Sequence, residues 1–400
     1  MFTLVRRALL SSIVYPLSGF ARRRSDWWAF GHARGTFSGN SKYLFLWLLQ
    51  SRPDISPCWI TSRRDTYDML RRKGYPVAMR WSWRGIARAL HSRVFVTCAG
   101  ALDVSFPLSN GSLLVNLWHG AALKIIHNNP ASNPLIRHAK WLWVPGVKAA
   151  LLHHMIKPDL MFTTSPEQAD IFARLMDLPR SRCAVAGSPR LEVVSDERLR
   201  EAGLIDRAYG DVRDRMSRFR ENYIYMPTWR DSGRPFLADS LPDLPRLSAE
   251  LGSRDAHLYL KLHPRTSEGV DIDLPNITLW DGPEDIYPVL ADFDVLISDY
   301  SSVILDVLQF RDNGIIVYVY DLDDYQKDER EFSYPYMESV AGAFSYDFGN
   351  LLEVIRAGRA FERVDPASLA RVRRRFWQSG DIAPCADIVA QIEARLASGD

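Results

Sequence analysis

Residues 295–310 read Val-Leu-Ile-Ser-Asp-Tyr-Ser-Ser-Val-Ile-Leu-Asp-Val-Leu-Gln-Phe. The apolar run 295–298 has the length of a buried strand, and the polar group 299–302 follows it as a turn. Apolar residues then recur at helical spacing over 303–310. The stretch therefore predicts a strand, a turn and a helix, which is the repeating unit of a parallel α/β sheet.

The same alternation continues on both sides of this stretch. Strand-like runs lie at 27–31, 57–61, 76–79, 94–98, 113–117, 161–164, 223–226, 257–262, 295–298 and 315–320. Helical patterns lie between them at 40–50, 63–73, 83–90, 166–175 and 302–310. Repeats of this kind predict an α/β protein with two doubly wound, Rossmann-like lobes, whose ligands bind at the carboxyl ends of the strands. The charged segment 196–220 predicts a surface helix pair rather than a linker.

Composition supports a globular protein with sizeable cores. Of 400 residues, 47% are hydrophobic and 12% aromatic, which excludes disordered and fibrous classes. The four cysteines show no CxxC spacing and no paired histidines, so we expect buried free thiols in a reducing compartment.

The net charge of +2 conceals a strong asymmetry along the chain. Residues 1–190 hold 26 Lys/Arg against 9 Asp/Glu, whereas residues 191–400 hold 24 against 39. This split predicts an N-terminal lobe at 27–190 and a C-terminal lobe at 191–400 with different partners. A basic half is typical of a protein that meets nucleic acid, anionic lipid or a phosphate-rich substrate.

Residues 1–26 require a targeting interpretation. The apolar stretch 9–20 contains three serines and a proline, so it is too short and too polar to span a membrane. A signal peptide is disfavoured because no A-x-A site is evident and Arg22, Arg23 and Arg24 follow directly. Two interpretations stay open: a basic helix lying in the interface of an anionic membrane, or an ordinary first helix packed on the N-terminal lobe.

Polar side chains follow four of the predicted strands, and they are the candidate site residues: His119 after 113–117, Thr228 and Arg230 after 223–226, His263 and Arg265 after 257–262, and Asp299, Ser301 and Ser302 after 295–298. An imidazole can accept a proton near neutral pH, and a guanidinium suits phosphate oxygens. Hydroxyls that open a helix lie where anions bind. A structural histidine, an Arg230–Asp231 surface pair and a simple N-cap serine are the alternatives.

Several motifs of other chemistries are missing. The chain contains no phosphate-binding GxxxxGK[ST] loop, no GxGxxG and no GxSxG. The acidic residues 321–324 could imitate an Asp-x-Asp metal motif, but their acidic surroundings predict a solvated loop. We therefore expect neither a metal nor an organic cofactor.

Five ordered motifs resemble the CDP-glycerol glycerophosphotransferase family of teichoic acid and capsule synthesis. They are Trp118-His119-Gly120 with Leu123-Lys124, Gly187-Ser188-Pro189-Arg190, Pro227-Thr228-Trp229-Arg230, Lys261-Leu262-His263-Pro264 and Asp299-Tyr300-Ser301-Ser302. The resemblance covers about residues 27–395 and includes the Gly39-Asn40-Ser41-Lys42-Tyr43 and Tyr320-Asp321-Leu322 stretches. The chain departs from the family at Ala121-Ala122, where Thr-Pro is usual, and at Ser188, where Asn is usual.

The resemblance implies a GT-B architecture with the active site in the cleft between two lobes. It implies transfer of glycerol phosphate or ribitol phosphate from a CDP-alditol to a hydroxyl of a polyol-phosphate or a glycan- or lipid-linked acceptor, with release of CMP. The partners are then the donor, this acceptor and an anionic membrane surface, without nucleic acid, and the location is peripheral on the cytoplasmic face of the membrane. The alternatives are a GT-B glycosyltransferase that uses a nucleotide sugar and a non-catalytic assembly factor, and the intact His119 and His263 oppose the latter.

The same resemblance implies roles for the candidate residues. His119 is the general base of the acceptor lobe, and His263 is the second catalytic histidine. The remaining candidates bind substrate: Lys124, Thr228, Arg230, Arg265, Asp299, Ser301 and Ser302. Of these, Thr228, Arg230 and Arg265 face the donor pyrophosphate together with His263. Asp299, Ser301 and Ser302 hold the remaining phosphate and ribose groups. Because the donor is an anion, the excess acidic charge of the C-terminal lobe is expected on its outer face.

Overall fold

The structure is a computed structural model that describes residues 10–125, 157–230, 232–233, 236–262, 271–378 and 383–398. His263 and Arg265 lie outside these residues. Within the described ranges, no helix combines the length and the apolarity needed to cross a bilayer.

Seven strands of the described residues form the first sheet, and all neighbouring pairs in it are parallel. They are β1 (Arg24–Phe30), β2 (Ser56–Thr61), β3 (Val77–Met79), β4 (Ser92–Thr97), β5 (Leu113–Asn116), β6 (Leu160–Thr163) and β7 (Cys183–Val185). Their spatial order is β3-β2-β1-β4-β5-β6-β7. This is the Rossmann order, and the strand order reverses between β1 and β4, where such sheets bind their ligands.

Six strands of the described residues form a second parallel sheet. They are β8 (Glu221–Tyr225), β9 (Ala256–Leu260), β10 (Ile277–Leu279), β11 (Val295–Ser298), β12 (Ile315–Tyr318) and β13 (Ala343–Ser345). The order β10-β9-β8-β11-β12-β13 repeats the Rossmann pattern, with its switch point between β8 and β11.

Helices alternate with these strands. The α-helices described before β8 are α1 (Tyr15–Ser18), α2 (Gly39–Ser51), α3 (Arg64–Arg72), α4 (Trp83–His91), α5 (Pro166–Leu175), α6 (Glu197–Gly203) and α7 (Ala208–Met216). Those described after β8 are α8 (Leu237–Ser240), α9 (Leu244–Gly252), α10 (Tyr287–Leu290), α11 (Val303–Phe310), α12 (Leu322–Asp328), α13 (Tyr336–Ser339), α14 (Phe348–Arg356), α15 (Pro366–Phe376) and α16 (Pro384–Ser398).

The predicted α/β class with two doubly wound sheets is confirmed. Strands β5, β8, β9, β11 and β12 are buried along their whole length, as expected of strands covered on both faces. All ten predicted strands are present. The prediction missed β7, β10 and β13, which are three-residue strands. The four cysteines are buried and free, as expected.

The chain divides into two compact units whose boundaries differ from the predicted ones. The first unit holds the described parts of Met1–His119, Ile126–Gly203 and Asp381–Asp400, and the second holds Gly120–Ile125 and Leu204–Gly380. The charge split placed the boundary near residue 190, but the 3₁₀ helix Pro189–Val194 packs on α2 and on α16. Helix α16 thus returns to the first unit, where the Cys385 backbone N–H donates to Glu192 at 2.8 Å.

The predicted helix pair over 196–220 is present as α6 and α7, but the division of the chain falls between the two helices. Each helix also buries a side chain, Leu199 in α6 and Tyr209 in α7. They are therefore not a surface pair of a single lobe.

The N-terminal segment is not an independent element ending at residue 26, because β1 already begins at Arg24. Residues Leu10–Val14 form one π-helical turn before α1. Tyr15 of α1 stacks on Phe106, with ring centroids 4.8 Å apart. Arg23 donates hydrogen bonds to five backbone carbonyls of the first unit, those of Ser18, Ala89, Ser92, Leu108 and Asn110. The side of the segment that carries Tyr15 therefore packs on the first unit, as the interpretation of a packed first helix expects.

Candidate active site

His119 lies just beyond the carboxyl end of β5, which is the direct neighbour of β4, the central strand of the first sheet. Ladder pairing ends when the Leu117 N–H donates to the Thr97 carbonyl at 2.8 Å. Trp118 then takes a left-handed backbone conformation with φ of 50°, which a bulky residue rarely adopts. This turn places the His119 side chain at the surface of the unit, where it is exposed.

The imidazole of His119 is oriented by its own neighbours. Its Nδ1 donates to the Cys98 carbonyl at 3.2 Å, which leaves Nε2 as the unprotonated nitrogen of the neutral ring. The ring also stacks on Trp118, with centroids 4.3 Å apart. Surrounding protein lowers the pKa of His119 below its usual value despite the exposed edge, and the Cys98 hydrogen bond partly opposes this shift. A neutral, oriented imidazole with an open Nε2 is suited to general base catalysis.

The candidate residues of the second unit meet at the switch point of its sheet. Thr228 and Arg230 follow β8, and Asp299 follows the adjacent strand β11. The fully buried Asp299 carboxylate accepts from the Thr228 N–H at 2.7 Å, from the Tyr300 N–H at 2.6 Å and from Arg230 Nη1 at 3.1 Å. Asp299 thereby joins the two strand-end loops.

Arg230 has a different environment from the predicted one. Besides Asp299, its guanidinium donates to both oxygens of Asp321 at 3.0 and 2.9 Å and to the Tyr320 hydroxyl at 3.2 Å. The side chain is only 3% exposed. Burial alone would lower the pKa of Arg230, but the neighbouring Asp299 and Asp321 raise it. We call Arg230, Asp299 and Asp321 the buried ion cluster.

The buried ion cluster corrects two expectations from the sequence. Arg230 is buried rather than at the surface, and its guanidinium donates to the carboxylates of Asp299 and Asp321. Asp321 does not sit in a solvated loop: it precedes helix α12 and also accepts from the Tyr300 hydroxyl at 2.9 Å. Within the described residues, no group of acidic, histidine and cysteine side chains is arranged to hold a metal ion.

A pocket of about 510 Å³ opens beside the buried ion cluster. Its lining includes five carboxylate side chains, Asp239, Asp321, Asp324, Asp328 and Glu329. The sequence predicts the acidic charge of this unit on its outer face. This prediction is wrong in part, because acidic side chains also lie next to the candidate residues. A phosphate group placed in this pocket would meet like charge.

Ser301 and Ser302 lie at the N-terminus of α11 and are both half-buried. Ser301 Oγ accepts from the Val303 N–H at 3.4 Å, whereas Ser302 makes no side-chain cap. Thr228 Oγ1 is buried and has no hydrogen-bond partner within the described residues. Three hydroxyls and the first turn of an eight-residue helix thus flank the switch point, which is favourable for an anion.

Lys124 lies in the short segment Gly120–Ile125, which clusters with the second unit. Its Nζ donates to the Tyr325 hydroxyl at 3.2 Å, and the backbone of Lys124 pairs with Phe332. The Tyr325 ring lies 4.9 Å from the Arg230 guanidinium carbon and 4.1 Å from the Tyr300 ring. Lys124 therefore lies beside Tyr325, one of the aromatic side chains that contact the buried ion cluster.

Sequence analysis missed four residues that organise these loops: Asn40, Arg190, Tyr300 and Asp321. All four lie within motifs that carried the family resemblance, and this membership was the only signal available. Their partners lie far away in the chain, since Arg230 and Asp321 are separated by 91 residues and Asn40 and Leu117 by 77.

Comparisons with known proteins identify relatives of this chain. Curated relatives include the teichoic acid ribitol-phosphate primase of Bacillus spizizenii, 26% identical over 265 residues that make up 64% of each chain. They also include the teichoic acid poly(glycerol phosphate) polymerase of the same organism, 22% identical over 88% of each chain. The chain thus spans slightly less than two thirds of the first of these relatives.

Solved structures show the same fold. The wall teichoic acid polymerase TagF matches with a TM-score of 0.72 and 19% identity, over 99% of this chain and 94% of that one. A putative UDP-N-acetylglucosamine 2-epimerase from Listeria monocytogenes matches with a TM-score of 0.53 and 12% identity, over 94% and 98%.

A family model adds a match over nearly the whole length of the chain. The model of CDP-glycerol:poly(glycerophosphate) glycerophosphotransferases matches residues 22–393, which include every candidate site residue. The chain therefore belongs to the CDP-glycerol:poly(glycerophosphate) glycerophosphotransferase family.

Proposed function

We propose that this protein transfers glycerol phosphate or ribitol phosphate from a CDP-alditol to a hydroxyl group of a teichoic-acid-like or capsular acceptor, and that it releases CMP. The observation that carries the proposal is the oriented imidazole of His119 at a strand end, in a chain that matches the family over residues 22–393. The curated relatives are primases and polymerases of this chemistry.

His119 acts in this proposal as the general base. The acceptor hydroxyl attacks the β-phosphorus of the donor, the new O–P bond forms, and the bond to the bridging oxygen of CMP breaks. The hydroxyl proton passes to Nε2 of His119, which is the nitrogen left open by the hydrogen bond from Nδ1 to Cys98. Its lowered pKa keeps the ring neutral at physiological pH, so the base is ready before the acceptor binds.

The switch point of the second sheet binds the donor in this proposal. Thr228, Ser301 and Ser302 supply hydroxyls, and the first turn of α11 supplies backbone N–H groups to the phosphates. Arg230 and Asp299 hold the two loops in register instead of contacting phosphate, because their charges are already paired. Lys124, His263 and Arg265 are proposed as additional donor contacts, with His263 also catalytic, on the strength of the family resemblance.

The donor and the reaction are tested together by measuring CMP release. Purified protein is incubated with CDP-glycerol and separately with CDP-ribitol, each with and without polyol-phosphate or lipid-linked glycan acceptors. Acceptor-dependent CMP release with one of the two donors supports the proposal and identifies the alditol. Absence of CMP release with both donors and all acceptors would contradict it.

Ser302→Ala is expected to weaken CDP-alditol binding about 10–150-fold, because a hydrogen bond to a charged group contributes about 1.5–3 kcal/mol. Isothermal titration calorimetry with CDP-glycerol and with CMP measures the effect. Ser253→Ala is the matched control, since the hydroxyl of that exposed serine donates to the Glu250 carbonyl at a helix end. Equal affinity in Ser302→Ala and Ser253→Ala would remove Ser302 from the donor site.

We also propose that the first unit lies on the anionic, cytoplasmic face of a membrane. The face of the N-terminal helical segment opposite Tyr15 exposes Ile13, Leu17 and Phe20, with Phe20 89% exposed. Ile13 lies before α1, Leu17 within it and Phe20 two residues beyond its end, and we call these three exposed apolar side chains the apolar stripe. Trp81 and Trp83, at the start of α4, are exposed in the same unit. Exposed apolar and indole side chains in a unit rich in arginine suit a lipid interface.

The variant Leu17→Ser/Phe20→Ser is expected to lose most binding to vesicles of anionic lipid, because burial of these side chains in lipid contributes about 1.5–3 kcal/mol each. Flotation with anionic and neutral vesicles measures the effect, and salt near 0.5 M should weaken binding through screening of the charges. Deletion of residues 1–24 is unsuitable as a test because it removes the half-buried Arg23, which binds backbone carbonyls of the first unit.

Leu102→Ser is the control for the same experiment, since Leu102 is an exposed apolar residue elsewhere in the first unit. It should float like the unmodified protein. Equal loss in Leu102→Ser and in the double variant would indicate nonspecific adsorption. Unchanged flotation of the double variant would show that the stripe does not contact lipid.

A further inference from the structure

Three consecutive carbonyl groups of the turn that carries His119 are held by two buried side chains. Asn40 Nδ2 donates to the carbonyls of Leu117 and Trp118, each at 3.0 Å. Arg190 Nη1 donates to the carbonyl of His119 itself at 2.6 Å. The backbone of residues 117–119 is therefore held by two side chains that are distant in the sequence.

Asn40 uses its full hydrogen-bonding capacity in this arrangement. Its Oδ1 accepts from Ser188 Oγ at 3.0 Å and from the Arg190 N–H at 3.2 Å, in addition to the two bonds that Nδ2 donates. Asn40 is 2% exposed, and it lies in the first turn of α2. The amide thus connects the start of α2, the start of the 3₁₀ helix that contains Arg190, and the His119 turn.

The turn requires such support because its backbone is strained. Trp118 adopts a φ of 50°, a conformation that a bulky residue holds only where surrounding contacts impose it. The Trp118 N–H donates to Asn116 Oδ1 at 2.8 Å, and the Trp118 ring packs edge-on against Phe172. If the carbonyls were released, the turn could relax and the imidazole would leave its hydrogen bond with Cys98.

We infer that Asn40 and Arg190 are positioning residues that aim Nε2 of His119 by holding the main chain of its turn. This inference rests on the proposed function, in which His119 is the base. Neither residue is placed in contact with substrate, so each acts through His119.

Arg190 has a second consequence for the imidazole because it is a cation. The charged groups that act on the ring are Arg190 and His32, which lower the pKa of His119, and Asp103, which raises it. A neutral replacement of Arg190 should therefore raise this pKa. Since the base works in its neutral form, the acid limb of the pH profile should move to higher pH in Arg190→Gln and stay in place in Arg190→Lys.

The test compares Asn40→Asp, Arg190→Gln and Arg190→Lys, each in the unmodified and in the His119→Ala background. Asn40→Asp and Arg190→Gln are expected to lower kcat about 10–10²-fold, with KM for the donor nearly unchanged. In the His119→Ala background the same substitutions should change kcat less than twofold, because residues that act through one group are not additive.

Asn222→Ala is the structural control. Asn222 is buried in the second unit, and its amide donates to the Met216 carbonyl at 3.2 Å. It should reduce thermal stability without moving the pH limb or lowering kcat of the folded enzyme. If Asn40→Asp does not fold, the Arg190 pair carries the test alone, since only the cation and its reach differ between the two variants.

The outcomes separate this inference from the proposed function. Equal losses of kcat in both backgrounds would overturn the positioning role while leaving His119 as the base. An acid limb that does not move in Arg190→Gln would overturn the effect of the Arg190 charge on the imidazole. Retention of turnover in His119→Ala alone would instead overturn the proposed base.

Discussion

His119→Ala is expected to lower kcat about 10²–10⁴-fold, which is the usual contribution of a positioned general base. The reason is local: Nε2 is the open nitrogen of a ring whose Nδ1 is fixed on the Cys98 carbonyl. Donor affinity should hardly change, because the proposed donor contacts other than Lys124 follow strands of the second sheet, and Lys124 is held by the Tyr325 hydroxyl of the second unit. Steady-state kinetics with saturating acceptor, together with donor calorimetry, measure both quantities.

The pH profile adds an independent readout of the same base. The lowered pKa of His119 places the acid limb of kcat/KM below about 6.5, the ordinary value for histidine. Turnover should therefore be full at neutral pH and fall as the ring becomes protonated at lower pH. His91→Ala is the control, since His91 lies at the end of α4 and binds the Arg22 carbonyl. Near-normal turnover of His119→Ala would show that the proton of the acceptor hydroxyl passes to a group other than His119.

Arg230→Met is expected to reduce the free energy of unfolding by about 3–5 kcal/mol, because removal of one partner leaves uncompensated buried charge. Asp299 is fully buried and would keep only its backbone donors, and Asp321 would lose two hydrogen bonds. Denaturant titration at neutral pH measures the loss. Adding Asp321→Asn to Arg230→Met should restore part of it by removing one stranded carboxylate.

Arg215→Met is the control for this prediction. Arg215 forms an ion pair with Asp281 at 2.8 Å in the same unit, but the Asp281 side chain is 59% exposed. A solvent-exposed pair of this kind contributes at most about 1 kcal/mol. Equal losses of unfolding free energy in Arg230→Met and Arg215→Met would show that the buried ion cluster contributes no more to stability than an exposed ion pair.

Sequence reasoning succeeded where a structural element is encoded locally. Strand β11 was predicted with its observed bounds because a four-residue apolar run ends abruptly at polar residues. Strands β7, β10 and β13 were missed, and each has three residues, too few for periodicity to decide; β3, which is equally short, was predicted within the run 76–79.

The candidate site was predictable only in part, for the same physical reason. The position of His119 follows from its buried strand, but the left-handed backbone of Trp118 has no signature in the residue type. Arg230 was correctly placed at a strand end, yet its guanidinium binds Asp321, which is 91 residues away. Which donors are already paired, and which remain open, is decided by packing between distant loops.

The most direct test of the central claim follows the β-phosphorus of the donor. CDP-alditol labelled at that phosphorus is incubated with the protein and its acceptor, and the products are separated. The proposed reaction predicts unlabelled CMP and a labelled phosphodiester on the acceptor, because the bond that breaks joins the β-phosphorus to the bridging oxygen. Label that leaves with the nucleotide, together with an acceptor that carries no phosphodiester, would show transfer at carbon, as a glycosyltransferase performs, and would contradict the account.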